Sequence, residues 1–166
     1  MITAADDRFD QGLLRQAFGC FPSGVTAFCG VLDGAPEGMA ASSFTSVSID
    51  PALVSVCVAK TSTTWPKLAT LDRLGLSVLA DGHVSIARSL SARTGDRFSG
   101  VDWMATDSGA VFVHGSTLWL ECAPFKRVDA GDHEIVVLQI VGLAIYPDVA
   151  PMVFHRSSFR ELAPST

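Results

Sequence analysis

Two segments combine small, hydroxyl-bearing and apolar residues in a way that suits a bound ring or a bound phosphate. The run Gly38–Ser48 contains no charged side chain, and small residues let a flat ring approach backbone groups that can bind its polar edge. A Ser/Thr-rich strand with one solvated face has the same pattern. The run Lys60–Thr64 places one cation beside four hydroxyls, which suits a phosphate. A helix cap with an exposed Lys60 is the alternative.

Two further segments carry imidazole and aromatic groups. The turn Gly131–His133 places a histidine beside an aspartate, which could orient it toward a cofactor or substrate. A Gly-Asp turn with an incidental histidine is the alternative. The segment Val153–Phe159 holds two phenylalanines around His155. Its local pattern is typical of a C-terminal segment that docks its aromatic rings on the core.

The common motifs of metal, nucleophile and nucleotide sites do not occur in the sequence. The histidines have no metal-binding spacing; they are His83, His114, His133 and His155. The nucleophile elbow, the Walker phosphate loop and the Rossmann glycine fingerprint are absent. We therefore predict no metal site, and a bound nucleotide must be held by other means.

The composition excludes two broad classes of protein. The chain has 166 residues, 48% of them hydrophobic and only 17% charged, and its mean hydropathy is +0.35. Disordered chains have the opposite balance. The net charge of −5, without a basic stripe, argues against a nucleic-acid partner.

A membrane location is also disfavoured. The longest apolar run, Ile135–Tyr146, has 12 residues, fewer than the roughly 18 to 20 that a spanning helix needs. The segment Met1–Asp7 is acidic and does not resemble a signal peptide. We expect a soluble, cytoplasmic protein whose cysteines are small buried hydrophobes rather than disulfides or metal ligands. They are Cys20, Cys29, Cys57 and Cys122.

The hydrophobic period predicts a mostly β framework for these segments. The predicted helices are one capped by Asp10 and ended by Pro22–Gly24, Trp65–Leu71 capped by Thr64, and His83–Leu90. The predicted strands are Val25–Val31, Gly38–Ile49, Leu53–Ala59, Leu74–Ala80, Leu118–Cys122 and Glu134–Ile145, with turns at Asp33–Pro36 and Asp129–Asp132 and a loop at Ser91–Gly109. Six or seven strands with three short helices favour an antiparallel barrel with helices at its ends. We expect a single domain over residues 1–166 with its core at about 12–162.

Taken in order, these segments resemble the short flavin reductases of the FMN-binding split-barrel class, the reductase components of two-component monooxygenases. The matching runs are Pro22–Val25, Gly38–Ser48, Asp50–Pro51, Val56–Val58, Ser62, Thr64, Pro66, Asp96–Trp103, Trp119–Cys122, Ala130–His133 and Phe154–Arg156. The resemblance implies a mainly β fold, a six-stranded antiparallel Greek-key split β-barrel with short peripheral helices. It also implies a homodimer with a flavin groove near the interface.

The resemblance further implies hydride transfer from NADH or NADPH to FMN or FAD, with diffusion of the reduced flavin to a partner monooxygenase. Such transfer needs two stacked rings rather than a protein nucleophile. His133 would act on the nicotinamide as the catalytic position. The implied cofactor-binding residues are Ser23, Ala41, Ser42, Ser43, Phe44, Thr45, Lys60, Ser62, Thr64, Phe98, Asp132 and His155. Of these, Ala41–Phe44 would line the isoalloxazine ring, while Lys60, Ser62 and Thr64 would hold the phosphate.

Three positions depart from the family pattern. Leu138 stands where relatives usually have Gly, which could alter strand packing or the pocket wall. Lys60 stands where Arg is common, and Thr61 replaces a second basic residue. Two alternatives stay open: a split-barrel flavoprotein that keeps its flavin and reduces ferric iron or a corrinoid, or a non-catalytic flavin- or haem-binding module.

Overall fold

The computed structural model describes residues 9–163 and is mainly β. The helices are α1 (Gln11–Gly19), α2 (Trp65–Leu68) and α3 (Val84–Leu90), and a 3-10 turn (Asp81–His83) precedes α3. The strands are β1 (Ser23–Gly24), β2 (Thr26–Leu32), β3 (Ala35–Ala41), β4 (Thr45–Ser48), β5 (Leu53–Ala59), β6 (Leu74–Val78), β7 (Trp103–Ala105), β8 (Val111–Val113), β9 (Leu118–Ala130), β10 (His133–Ile145), β11 (Val153–His155) and β12 (Ser158–Arg160). The acidic segment Met1–Asp7 lies outside the described residues.

The main sheet has the order β3-β2-β6-β9-β10-β5-β4, and its strand pairs are antiparallel. Its two edge strands, β3 and β4, follow each other in the chain and are joined by Ser42–Phe44. The sheet therefore curls until its edges meet at this three-residue connection. Counted as the two halves of one broken strand, β3 and β4 make the six strands of the predicted split barrel, so the predicted fold class is confirmed.

The Ser43 side chain closes the gap between the two edges. Its hydroxyl donates to the carbonyl oxygen of Cys57 at 3.0 Å and accepts from the Cys57 N–H at 2.8 Å. Strand β4 pairs with β5 only as far as Thr45 opposite Ser55, so beyond that point the edge of β5 has no strand beside it. A side-chain hydroxyl thus satisfies backbone groups that a sheet ladder would otherwise pair.

Two apolar cores lie on opposite faces of β2. Phe28 belongs to the cluster inside the barrel, while Ala27 and Cys29 belong to a second cluster formed with α3 and β8. Because alternate residues of a strand face opposite sides, both faces of β2 are covered, which accounts for its lack of charge. Leu138 is fully buried in the barrel cluster and fills the interior rather than a pocket wall.

The short hairpin β7–β8 packs directly on the barrel at Gly75 in β6. A Cβ atom at Gly75 would lie 2.0 Å from the carbonyl oxygen of Val111, so only glycine fits this contact. Strand β7 lies within the segment that was predicted to be a loop, Ser91–Gly109, so that prediction was wrong for residues 103–105.

Several predicted boundaries are corrected by the structure. The predicted strand Gly38–Ile49 is two strands, because Ser43 leaves the ladder to bind β5. The predicted turn residues Ala35 and Pro36 begin β3. Helix α2 ends at Leu68 instead of Leu71, since Thr70 donates its N–H to Lys67 three residues back.

One of the two predicted helix caps is confirmed and the other is wrong. Asp10 caps α1 by accepting from the N–H of Leu13 at 3.0 Å, as predicted. Thr64 precedes α2 without capping it; the hydroxyl of Ser62 accepts from the N–H of Trp65 at 3.0 Å instead. Within residues 9–163, no helix is long and apolar enough to cross a membrane.

Replacing Ser43 by Ala tests the closure of the barrel. The change leaves both backbone groups of Cys57 without partners, so we expect the free energy of unfolding to fall by about 1–3 kcal/mol. Urea denaturation measures it. Ser46→Ala, at an exposed position of β4, is the matched control with an expected change within about 0.5 kcal/mol. Equal losses in the two variants would contradict the bridging role.

Candidate functional site

Three adjoining cavities form a groove beside the break between β3 and β4. The inner cavity, about 130 Å³, and the middle cavity, about 490 Å³, share Ala40 and Ser91 as lining residues. The middle cavity shares Thr63, Thr64 and two arginines with an outer cavity of about 290 Å³. We call the three together the groove. It is long, and its lining changes in chemistry from one end to the other.

The inner cavity is bordered by small residues and two phenylalanines. Ala41 and Ser42 line it at the point where β3 ends, opposite Phe154 and Phe159. The two phenylalanine rings lie 5.4 Å apart between centroids, and the guanidinium of Arg88 stands 5.8 Å from the centre of the Phe159 ring. Small residues on one side and aromatic rings on the other suit a planar, largely apolar ligand.

The middle cavity is lined by hydroxyls and backbone. The segment Thr61–Thr64 forms one wall. Among the described residues, no acceptor pairs with the backbone N–H groups of Thr61, Thr63 and Thr64. Free N–H donors beside hydroxyls are a common setting for an anion.

Arg97 forms a fixed cationic wall of the middle cavity. Its Nε donates to the carbonyl oxygen of Ala92 at 2.8 Å and its Nη1 to that of Gly38 at 3.0 Å, and Nη1 also bonds the hydroxyl of Thr64. Gly38 leaves no space for a Cβ, which would meet the Cys29 sulfur at 2.5 Å. These contacts hold the Arg97 guanidinium in place, so a bound anion need not order it.

Arg93 is the second cation of the groove. It is exposed and lines both the middle and the outer cavity. Within residues 9–163 it makes no ion pair, and the lining of the middle cavity contains no carboxylate. The middle cavity therefore presents two guanidinium charges without an acidic neighbour in its lining, which favours an anionic ligand.

The turn between β9 and β10 gathers four predicted or charged residues that do not belong to the lining of the groove. Lys60 forms an ion pair with Asp129 and donates its backbone N–H to the carbonyl of Asp132. Asp132 bonds Nδ1 of His133 at 2.7 Å. The hydrogen bond from His133 lowers the pKa of Asp132, and the hydrogen bond from Lys60 lowers that of Asp129. None of these four residues lines the three cavities.

The other predicted site residues divide between the groove and its supports. Phe98 lines the outer cavity, and Ser62 and Thr64 line the middle one. Ser23 pairs with Phe154, and His155 follows Phe154 on the same strand. The structure turns Ser43 to β5, packs Phe44 against the barrel core and leaves Thr45 exposed on β4.

Five residues that line the groove were not among the predicted site residues. They are Ser91, Arg93, Arg97, Phe154 and Phe159. Two of them, Arg97 and Phe154, lie in the runs that carried the family resemblance. In those runs the predicted cofactor-binding residues were their neighbours Phe98 and His155. Arg93 lies in the segment predicted to be a loop, and no sequence pattern marks it.

The described residues give little support for a thiolate nucleophile or a metal site. Burial raises the pKa of Cys29 and of Cys122 to about 12, so neither is a thiolate nucleophile. Cys57 is half-buried, and Cys20 is exposed, contrary to the prediction that the cysteines are buried. His83 accepts from the Ala80 N–H at 3.3 Å, and burial lowers its pKa. In the described part of the chain, no three His, Cys, Asp or Glu residues cluster as metal ligands.

Three comparisons with known proteins show which family this chain resembles. The family model described as flavin reductase like domain matches residues 18–163. An NADH-dependent FAD reductase of Streptomyces globisporus is 37% identical over 163 residues, covering 95% of this chain and 89% of that protein. The reductase subunit HsaB of a flavin-dependent monooxygenase from Rhodococcus jostii is 31% identical over 163 residues, covering 96% and 82%. A solved structure of the Streptomyces globisporus NADH:FAD oxidoreductase with NAD and FAD fragments has a TM-score of 0.90 at 36% identity, covering 98% of both chains.

Replacing Arg97 by Ala tests whether this side chain builds the groove wall. We expect the free energy of unfolding to fall by about 1–3 kcal/mol, because carbonyls of two segments lose a charged donor. Arg93→Ala removes an exposed arginine of the same groove and is expected to change stability by less than about 0.5 kcal/mol. Thermal denaturation followed by circular dichroism compares the two. A smaller loss for Arg97→Ala than for Arg93→Ala would show that Arg97 has no structural role.

Proposed function

Because this chain belongs to the flavin reductase like domain family, we propose that it transfers a hydride from NADH or NADPH to FAD or FMN and releases the reduced flavin to a partner monooxygenase. The chain is an oxidoreductase of the flavin reductase type. The observation that carries the proposal is the groove itself, which joins an inner cavity bordered by small residues and two phenylalanines to a middle cavity with two guanidinium groups. A flavin has the same order of parts, a flat ring followed by a chain that ends in phosphate.

The reaction chemistry belongs to the two ligands, since bound nicotinamide supplies the hydride and bound flavin accepts it. The residues of the chain bind these two ligands and orient them. Ala41 and Ser42 let the ring approach the backbone, while Phe154 and Phe159 border the same cavity and leave one ring face for the nicotinamide. Arg97 neutralises the phosphate, and the hydroxyls of Ser62 and Thr64 bind it. The linings of the inner and middle cavities contain no His, Asp or Glu, which is consistent with catalysis by positioning alone.

The turn between β9 and β10 would serve the nicotinamide. We assign His133 to this role because its side chain is 43% exposed and is oriented by Asp132. Lys60 would act indirectly: its ion pair with Asp129 and its backbone bond to Asp132 hold the turn beside the end of β5. Ser43, Phe44 and Thr45 would shape the groove from behind rather than contact the ring.

The assembly and setting are further parts of the proposal. Val141, Leu143 and Ile145 alternate along β10 and are 49%, 62% and 64% exposed, an apolar row that supports a homodimer. The free cysteines are compatible with the reducing cytoplasm. The family match over residues 18–163 supports a single domain. A monooxygenase partner is supported by HsaB, which is named as a monooxygenase reductase subunit.

Steady-state turnover tests the function. Purified protein with NADH or NADPH and excess FAD, FMN or riboflavin should oxidise many equivalents of nicotinamide, followed by absorbance, because the reduced flavin leaves after each hydride transfer. Reactions without flavin are the control. No oxidation with any pair would refute the proposal, and reduction of one retained flavin equivalent would favour the flavoprotein alternative.

The His133→Ala variant tests the nicotinamide role. We expect the KM for NADH to rise about 10-fold, the effect of losing one charge-assisted hydrogen bond, with the Kd for FAD changed less than about 2-fold. Lys126→Ala, an exposed change on β9 opposite Val137, should leave both values unchanged. Equal losses of nicotinamide and flavin binding in His133→Ala would mean that the residue is structural.

A further inference from the structure

The outer cavity of the groove has no part in the function as described so far. It adjoins the middle cavity and shares no lining residue with the inner cavity. Arg93 and Arg97 line both the outer and the middle cavity. A flavin mononucleotide would end in the middle cavity, at its single phosphate. A ligand that continues beyond this phosphate would pass between the two arginines and enter the outer cavity.

The charges of the outer cavity suit a diphosphate at its entrance and a neutral group within. Its cations are Lys67, Arg93 and Arg97, and its carboxylates are Glu37 and Asp96. Lys67 is neutralised by Glu37 at 2.7 Å, and Asp96 accepts the N–H of Phe98 at 2.9 Å. Three cations and two carboxylates line the outer cavity, so one net positive charge is left for a ligand, and Arg93 and Arg97 carry it at the entrance.

The walls of the outer cavity are mainly polar. Thr63, Thr94 and Gly95 line it beside Pro36 and the buried Phe98. Hydroxyls and backbone groups of such a wall can bind the polar edge of a purine and its ribose. The cavity is also open to solvent through an exposed loop, Arg93–Asp96, which lets a long ligand enter and leave.

We propose that Arg93 makes this chain selective for the dinucleotide flavin, FAD, over FMN by binding its second phosphate, with the adenosine in the outer cavity. The inference rests on the proposed function, because it takes the groove as a flavin site. Arg97 is held by three groups of the chain and serves the phosphate that both flavins share. Arg93 has no partner among the described residues and is the guanidinium free to form bidentate bonds with a second phosphate.

Equilibrium binding without nicotinamide tests the proposal. Calorimetric titration of oxidised FAD and FMN into the wild type should give at least about 10-fold tighter binding of FAD. Arg93→Ala should weaken FAD binding by about 10- to 100-fold, the range for a charged hydrogen-bonded contact, and weaken FMN binding less than about 3-fold. Arg73→Ala is the matched control, because Arg73 lies outside the groove and pairs with Glu121 at 3.9 Å. It should change the binding of neither FAD nor FMN.

Three results would overturn the assignment of Arg93. Equal weakening of FAD and FMN would place it on the shared phosphate, and no weakening of either would remove it from the site. A raised KM for NADH with an unchanged Kd for FAD would give the outer cavity to the nicotinamide dinucleotide. Failure of the proposed function is a separate result, since it would appear as wild-type protein that oxidises no NADH with any flavin.

Discussion

The two hydrogen bonds between the Ser43 hydroxyl and the Cys57 backbone are the interaction on which the site depends. A continuous strand from Ala35 to Ser48 would close the barrel with a regular ladder and leave no opening. The Ser43 side chain takes the place of a paired backbone segment beside β5. The two edge strands are therefore held together while a break in the ladder remains between them. Ala41 and Ser42 end β3 at this break, where they line the inner cavity.

The second constraint is the distribution of charge. Strand β2 is buried on both faces, so a charge placed on it would carry a desolvation cost. The cations of the groove therefore come from the loop after α3, where Arg93 and Arg97 lie, instead of from the strands. Arg97 is ordered by carbonyl oxygens that the fold already provides. In the proposed function, such a site would hold an anion and a ring in fixed relation, which is what hydride transfer between two ligands requires.

Sequence reasoning found what local pattern determines. The period of two located β5 at its correct limits, Asp10 capped α1, and the barrel class followed from strands that are not each followed by a helix. The pattern could not show that Ser43 leaves its strand, because the partner, Cys57, is distant in sequence and the bond is tertiary. For the same reason Lys60 was assigned to a phosphate, although Asp129, far along the chain, takes its ammonium group. Arg93 lies in an irregular loop, where no periodicity indicates which side chains meet a cavity.

A structure of the chain with oxidised FAD bound tests the central claim most directly. The account predicts the isoalloxazine ring in the inner cavity beside Ala41 and Ser42, with a phosphate oxygen within hydrogen-bond distance of Ser62 and Arg97. A second large cavity, about 420 Å³ and lined by Arg15 and Arg156, lies between α1 and the turn after β11. A flavin bound there, with the groove beside the β3–β4 break empty, would contradict the account.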